Sequence, residues 1–161
     1  MTQKNAPRAA LNTLENQFAS TAAEARRFGH VVSVSGPQAI VVLEGTRDEV
    51  PLDSRMQIGA LVKIPTPLSW VIGIIAAVSS PMPESGADSE DIILVELSLA
   101  GEIVREKSGK LRFCRGVSNF PSIGDPVMFA AREDLICVYV QPGVATIEVG
   151  SLFQDATVPA R

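Results

Sequence analysis

The chain has 161 residues, 46% of them hydrophobic and 20% charged, with a net charge of −4. That is one domain's worth of sequence, long enough to bury roughly two-thirds of its unfolded surface without disulfides or metal. The composition excludes a disordered chain, and the acidic balance excludes whole-molecule attraction to phosphate backbones or anionic membranes.

Residues 1–10 are polar, contain Pro7 and lack an apolar core segment, so they read as a loose tail and not as a signal peptide. Leu11, Leu14, Phe18, Ala22 and Ala25 then recur at steps of three and four, which predicts an N-terminal helix over 11–28 with one narrow apolar stripe. Asn12 is a suitable N-cap with Glu15 three positions on, Arg26 and Arg27 suit the last turn, and Gly29 terminates it.

From His30 the period becomes two. His30–Ser35 and Ala39–Glu44 predict a hairpin around Gly36-Pro37-Gln38. Ala60–Ile64 is the next strand, with Lys63 facing away from Val62 and Ile64, and Pro65-Thr66-Pro67 ends it. Trp70–Ser79 is apolar on both faces, and Gly73 suits a bend or bulge. Ser80–Asp91 reads as a surface loop; its Glu84, Asp88, Glu90 and Asp91 lack the spacing of a calcium loop and read as solvated acids. Ile92–Arg105 alternates, with Gly101 breaking or bending it, and Ser108-Gly109 turns into Lys110–Arg115. Pro126–Ala130, Leu135–Val140 and Ala145–Val149 complete the predicted strands.

The whole reads as mainly β: a small closed antiparallel β-barrel over 29–150 with one N-terminal α-helix, followed by a linker over 151–161. Closure is favoured by the glycine kinks and by strands apolar on both faces, because a barrel leaves no edge exposed. Ile40–Leu43, Val71–Ala76 and Ile136–Val140 each have a second apolar face, which the helix or an adjacent barrel would cover.

Several segments resemble the barrel that precedes the motor of HerA-like DNA-translocating ATPases. Phe28-Gly-His-Val-Val-Ser-Val-Ser-Gly with Ala-Ile-Val-Val-Leu also resembles the first hairpin of the F-type ATP synthase barrel. The HerA-type likeness lies in Ile58-Gly-Ala-Leu-Val-Lys-Ile-Pro-Thr-Pro, Val71-Ile-Gly-Ile-Ile, Val95-Glu-Leu, Gly101-Glu-Ile and Leu111-Arg-Phe-Cys-Arg-Gly-Val-Ser. Pro142-Gly-Val-Ala-Thr-Ile and Gly150-Ser-Leu-Phe-Gln-Asp-Ala-Thr-Val-Pro-Ala extend it, so that it covers residues 28–160 in order. The resemblance implies a HerA/ATP-synthase barrel standing before a RecA-like motor that forms a hexameric ring around DNA. It implies protein partners such as a nuclease or a defence effector, in DNA repair or phage defence. Gln154, Asp155 and Pro159 resemble the junction leading to that motor.

No motor lies in this sequence. The Gly109-Lys110 pair is followed by Leu111 where a phosphate-binding loop requires Ser or Thr, and Val104 stands where its first glycine belongs. ATP and Mg would belong to the motor, and no cofactor, metal or catalytic residue is expected here. The single histidine, His30, leaves no Ser-His-Asp or Cys-His constellation that does not depend on it. Cys114 and Cys137 lie in apolar runs and read as a buried reduced pair.

The candidate contact residues are Arg105, Lys107, Lys110, Arg112 and Arg115, a basic cluster on one predicted hairpin broken only by Glu106. Such a tip could meet DNA phosphates or an acidic partner, or could simply blunt an edge. The expected function is therefore a non-catalytic assembly and partner-docking barrel of a cytoplasmic hexameric ATPase, with no membrane contact. The alternative is a free-standing nucleic-acid-binding barrel of the oligonucleotide-binding (OB-like) kind, against which the acidic charge and few aromatics argue. An enzyme built on a β-barrel core is the third possibility, opposed by the lack of convergent polar residues.

Overall fold

The computed structural model describes residues 27–43, 56–80, 92–140 and 147–160. They are mainly strand, arranged as a closed six-stranded antiparallel barrel with one helix. The barrel strands are β1 (Arg27–Ser35), β2 (Gln38–Leu43), β3 (Leu61–Pro65), β4 (Trp70–Ser79), β5 (Leu94–Arg105) and β7 (Pro126–Phe129); β6 (Leu111–Arg115) lies outside the ring. Helix α1 (Arg132–Tyr139) follows, and β8 (Gly150–Ser151) pairs with β9 (Pro159–Ala160).

Around the ring each strand pairs antiparallel with its neighbour, in the order β1, β2, β5, β4, β3, β7. Closure rests on β5, whose one edge serves two strands. Its first half pairs with β2 from Leu94↔Val42 to Ser98↔Gln38, and its second half pairs with β6 from Gly101↔Arg115 to Arg105↔Leu111. The predicted break at Gly101 is thus a handover inside one continuous strand. The β4–β5 register shifts there, between Ile72↔Gly101 and Gly73↔Leu99. A Cβ on Gly101 would lie 2.2 Å from the Cys114 carbonyl oxygen and 2.7 Å from the Phe113 ring, so only glycine lets β6 approach.

Two apolar clusters follow from the alternation of the strands. Val31, Val41, Val62, Ile64, Val71, Ile75, Val95 and Leu97 point inward and are fully or almost fully buried in the lumen. Phe28 and Phe129 stack within the same cluster, with ring centroids 4.5 Å apart. Leu61, Ile72 and Ile103 point outward, under Leu135 of α1 and Val158 of the C-terminal segment. The second apolar face of β3–β5 is therefore covered within the chain, so it is not left for a neighbour.

Four expectations are corrected. Leu135–Tyr139, expected within a strand over Leu135–Val140, is helix. The reason lies just upstream: the Asp134 carboxylate accepts the Ala131 amide at 2.8 Å, and Glu133 and Asp134 favour the positive end of the helix dipole. Arg27 and Phe28 belong to β1 and not to a helix; the rest of the expected N-terminal helix lies outside the described residues. Residues 147–149 are not a strand of the barrel. Residues 149–160, expected to be mostly linker, form a hairpin instead, closed by the Val149 amide on the Ala160 carbonyl and the Leu152 amide on the Val158 carbonyl.

One buried ion pair fastens the helix to the barrel. Lys63, on the outward side of β3, meets Asp134 at 2.7 Å with both side chains about 5% exposed, and its ammonium lies 5.4 Å from the Trp70 ring centroid. Truncating one partner leaves a buried charge, so Lys63→Ala is expected to lower stability by about 3–5 kcal/mol in urea denaturation. The double replacement Lys63→Met with Asp134→Leu should cost less than either single truncation.

Candidate docking surface at one end of the barrel

The β3–β4 turn, the β5–β6 hairpin and the segment after β6 gather at one end of the barrel. Trp70 is the last β4 residue paired to β5, opposite Ile103, so Val104–Lys110 project beyond the ring. Gly116, at φ +83°, turns the chain out of β6. Its amide bonds the Ala100 carbonyl at 3.1 Å, and the chain then crosses to β1, where Gly124 and Asp125 bond Val31. Val117 packs on the lumen cluster and Pro121 is buried, so this crossing segment closes the end.

Glu102 pins it. This β5 carboxylate is 3% exposed and accepts hydrogen bonds from the Ser118 and Asn119 amides, the latter at 2.7 Å, and from the Asn119 side chain at 3.3 Å. Burial pushes its pKa up, but the hydrogen bonds from Asn119, Ser118 and Ser69 outweigh that and hold it below the ordinary carboxylate value. Ser69 belongs to the β3–β4 turn, where it also bonds Thr66. One carboxylate thus ties together β5, the β3–β4 turn and the crossing segment. Nothing in the local sequence pattern singled it out.

The basic residues are spread along the β5–β6 hairpin, with Lys107 and Lys110 at its tip and Arg115 at its base opposite Gly101. Arg105, Lys107, Lys110, Arg112 and Arg115 are all exposed. Arg112 pairs with Glu106 at 3.0 Å across the hairpin, well exposed to solvent and so worth little to stability. Between this hairpin and α1 runs an open groove of about 700 Å³. Phe113, Ile136, Cys137 and Val140 give it an apolar floor; Lys110, Arg112 and Glu133 put both signs of charge at its rim. The two cysteines are half-buried and unbonded. Burial raises the Cys137 thiol pKa, the Asp134 carboxylate adds to the rise, and the Phe113 amide opposes it, so the thiol is a poor nucleophile.

The expected junction residues lie elsewhere. Gln154 reaches the β3 backbone, its carbonyl oxygen accepting the Leu61 amide at 2.7 Å and its nitrogen donating to the Leu61 carbonyl at 2.9 Å. Asp155 accepts from the Thr157 hydroxyl and amide in the hairpin turn, which lowers its pKa. Pro159 is in β9. His30 is half-buried in β1, opposite Val42 and Pro126. Among the described residues no group of three or more His, Cys, Asp or Glu is placed to hold a metal ion, and no helix is long and apolar enough to cross a membrane.

No protein-family model matches the chain, and no curated protein matches it either.

The depressed pKa of Glu102 fixes a sign. Its contribution is present above the unfolded carboxyl value of about 4.5 and is lost as pH falls through the lower folded value. Unfolding free energy should therefore drop below about pH 4.5. Glu102→Gln should cost about 1–3 kcal/mol at neutral pH and flatten that acid limb; an unchanged limb in pH-dependent urea melts would remove Glu102 from this role.

Proposed function

We propose that this chain is a non-catalytic assembly and partner-docking barrel of the kind that precedes the motor of HerA-like DNA-translocating ATPases. On this reading the ring, the ATP and Mg chemistry and the grip on DNA belong to a motor domain, and the barrel supplies contacts to neighbouring subunits and to a protein partner.

The observation that carries the reading is the filled lumen. Val31, Val41, Val62, Ile64, Val71, Ile75 and Val95 are 0% exposed, so the interior is packed core and not a ligand cavity. What the molecule offers to others lies on its outside. Because α1 and the C-terminal hairpin cover the outer face of β3–β5, contact with a neighbour falls to other surfaces. A ring contact is heterologous, one patch meeting a different patch on the next subunit.

A nucleic-acid-binding barrel is the second reading, favoured by the exposed cations of the β5–β6 hairpin. Against it, the hairpin carries a single aromatic residue, Phe113, which is half-buried against the outer cluster beside α1, so successive bases would find no series of stacking platforms.

Titration of the chain with short duplex DNA separates the two. The docking reading predicts no more than weak, salt-sensitive association, in the range of about 10⁻⁴–10⁻⁶ M that non-specific phosphate contacts give. Tighter binding that survives raised salt, and that is lost in Lys110→Glu with Arg112→Glu, would establish the nucleic-acid barrel instead.

A further inference from the structure

The turns and the crossing segment at this end of the barrel combine exposed apolar side chains with few charges. Gly36–Gln38, Pro65–Ser69 and Gly116–Gly124 contain no charged residue, in a protein that is 20% charged. The β1–β2 turn joins this end because the Leu99 amide bonds the Pro37 carbonyl, one residue from the Gly116–Ala100 bond. Leu68 and Phe120 directly follow or precede the Glu102-linked residues in sequence: Leu68 precedes Ser69 and Phe120 follows Asn119. Leu68 is 77% exposed, Phe120 50% and Ile123 75%. Large apolar side chains exposed on neighbouring segments at one end, two of them adjacent in sequence to Glu102-bonded residues, suit the centre of an interface.

The charges beside this patch have one predominant sign. The hairpin that projects from the same end carries Arg105, Lys107, Lys110, Arg112 and Arg115 against Glu106, and Glu106 is taken up by Arg112. Arg112 is paired with Glu106, whereas Lys107, Lys110 and Arg115 form no ion pair with another described residue. Glu133, on α1, lines the groove on the helix side of the hairpin beside Lys110. A chain of net charge −4 thus sets five of its fourteen Lys and Arg residues on the hairpin at this end, where Asp125 adjoins the apolar segment.

We infer that this end of the barrel docks a protein segment that sets apolar side chains on Leu68, Phe120 and Ile123 and carboxylates against Lys107, Lys110 and Arg115. Apolar anchors would supply the affinity, and the flanking cations would steer the approach and reject basic sequences. The inference rests on the docking reading above and names the face and the chemistry of the partner.

The test is selection of a random dodecapeptide phage library on the full 161-residue chain, followed by titration of the enriched peptides. Enriched sequences should combine aromatic or aliphatic residues with Asp or Glu. Their affinity should fall about tenfold or more in Phe120→Glu and in Leu68→Glu. In Lys107→Glu with Lys110→Glu the association rate should fall and lose its salt dependence. All these positions are exposed, and thermal melts close to that of the parent chain verify that each variant folds. Glu96→Lys, exposed on β5 within the barrel wall, should leave binding unchanged. Peptides without acidic bias, or binding unmoved by these variants, would overturn the face while leaving the docking reading in place. No enriched peptide at all would overturn both. Binding of oligothymidylate that displaces the peptides and needs Lys110 and Arg112 would assign this end to nucleic acid and overturn the inference.

Discussion

The divided edge of β5 is the constraint on which the rest of the molecule depends. A strand has two edges, and β4 occupies one of them along the length of β5. The other edge closes the ring against β2 and then, past Gly101, carries β6 away from it. Were β6 to continue along the first half of β5, the ring could not close; were β2 to extend past Gly101, the hairpin could not form. The approach of Phe113 and the Cys114 carbonyl to Gly101 sets the place of the change. From that place follow the direction in which the basic hairpin projects, the exit of the chain through Gly116, and the burial of Glu102 one residue on.

Polar groups, not apolar area alone, then fix the attachments to the barrel. Lys63 and Asp134 locate α1, Glu102 locates the crossing segment, and Gln154 locates the C-terminal hairpin by satisfying both backbone groups of Leu61. Each is a buried or half-buried group that would be costly if displaced, so each selects one arrangement among the many that would bury similar apolar area. This division of labour leaves the lumen purely apolar and puts the specific interactions outside it or at its end.

How far the sequence could be read follows from the range of the interactions. Period-two alternation located β1 through β7 within a few residues, because alternation is a local property and the lumen enforces it. The strand at Trp70–Ser79 was rightly read as apolar on both faces. What covers its outer face was not legible, since Leu135 and Val158 come from distant parts of the chain. Helix α1 was misread because Ile136, Val138 and Tyr139 favour strands, while the deciding signal, Asp134 capping Ala131, lies before the apolar run. Lys63 was correctly placed on the outward side, but its burial depends on that same helix. The basic hairpin was legible because its residues lie close together in sequence. The apolar end was not, because it is assembled from three separated turns.

The molecule depends on a closed ring, and hydrogen exchange reads closure at the seam. The Leu99 amide donates to the Pro37 carbonyl at 2.7 Å, the Leu43 amide to the Ile93 carbonyl at 3.1 Å, and Val95 and Leu97 pair with Val41 and Ala39 between them. In a closed barrel the amides of Val95, Leu97 and Leu99 are predicted to exchange as slowly as those of Glu96 and Ser98, which face β4. Fast exchange along the β2 side with protection kept on the β4 side would describe an open sheet, and would contradict both the fold and the functional reading built on it.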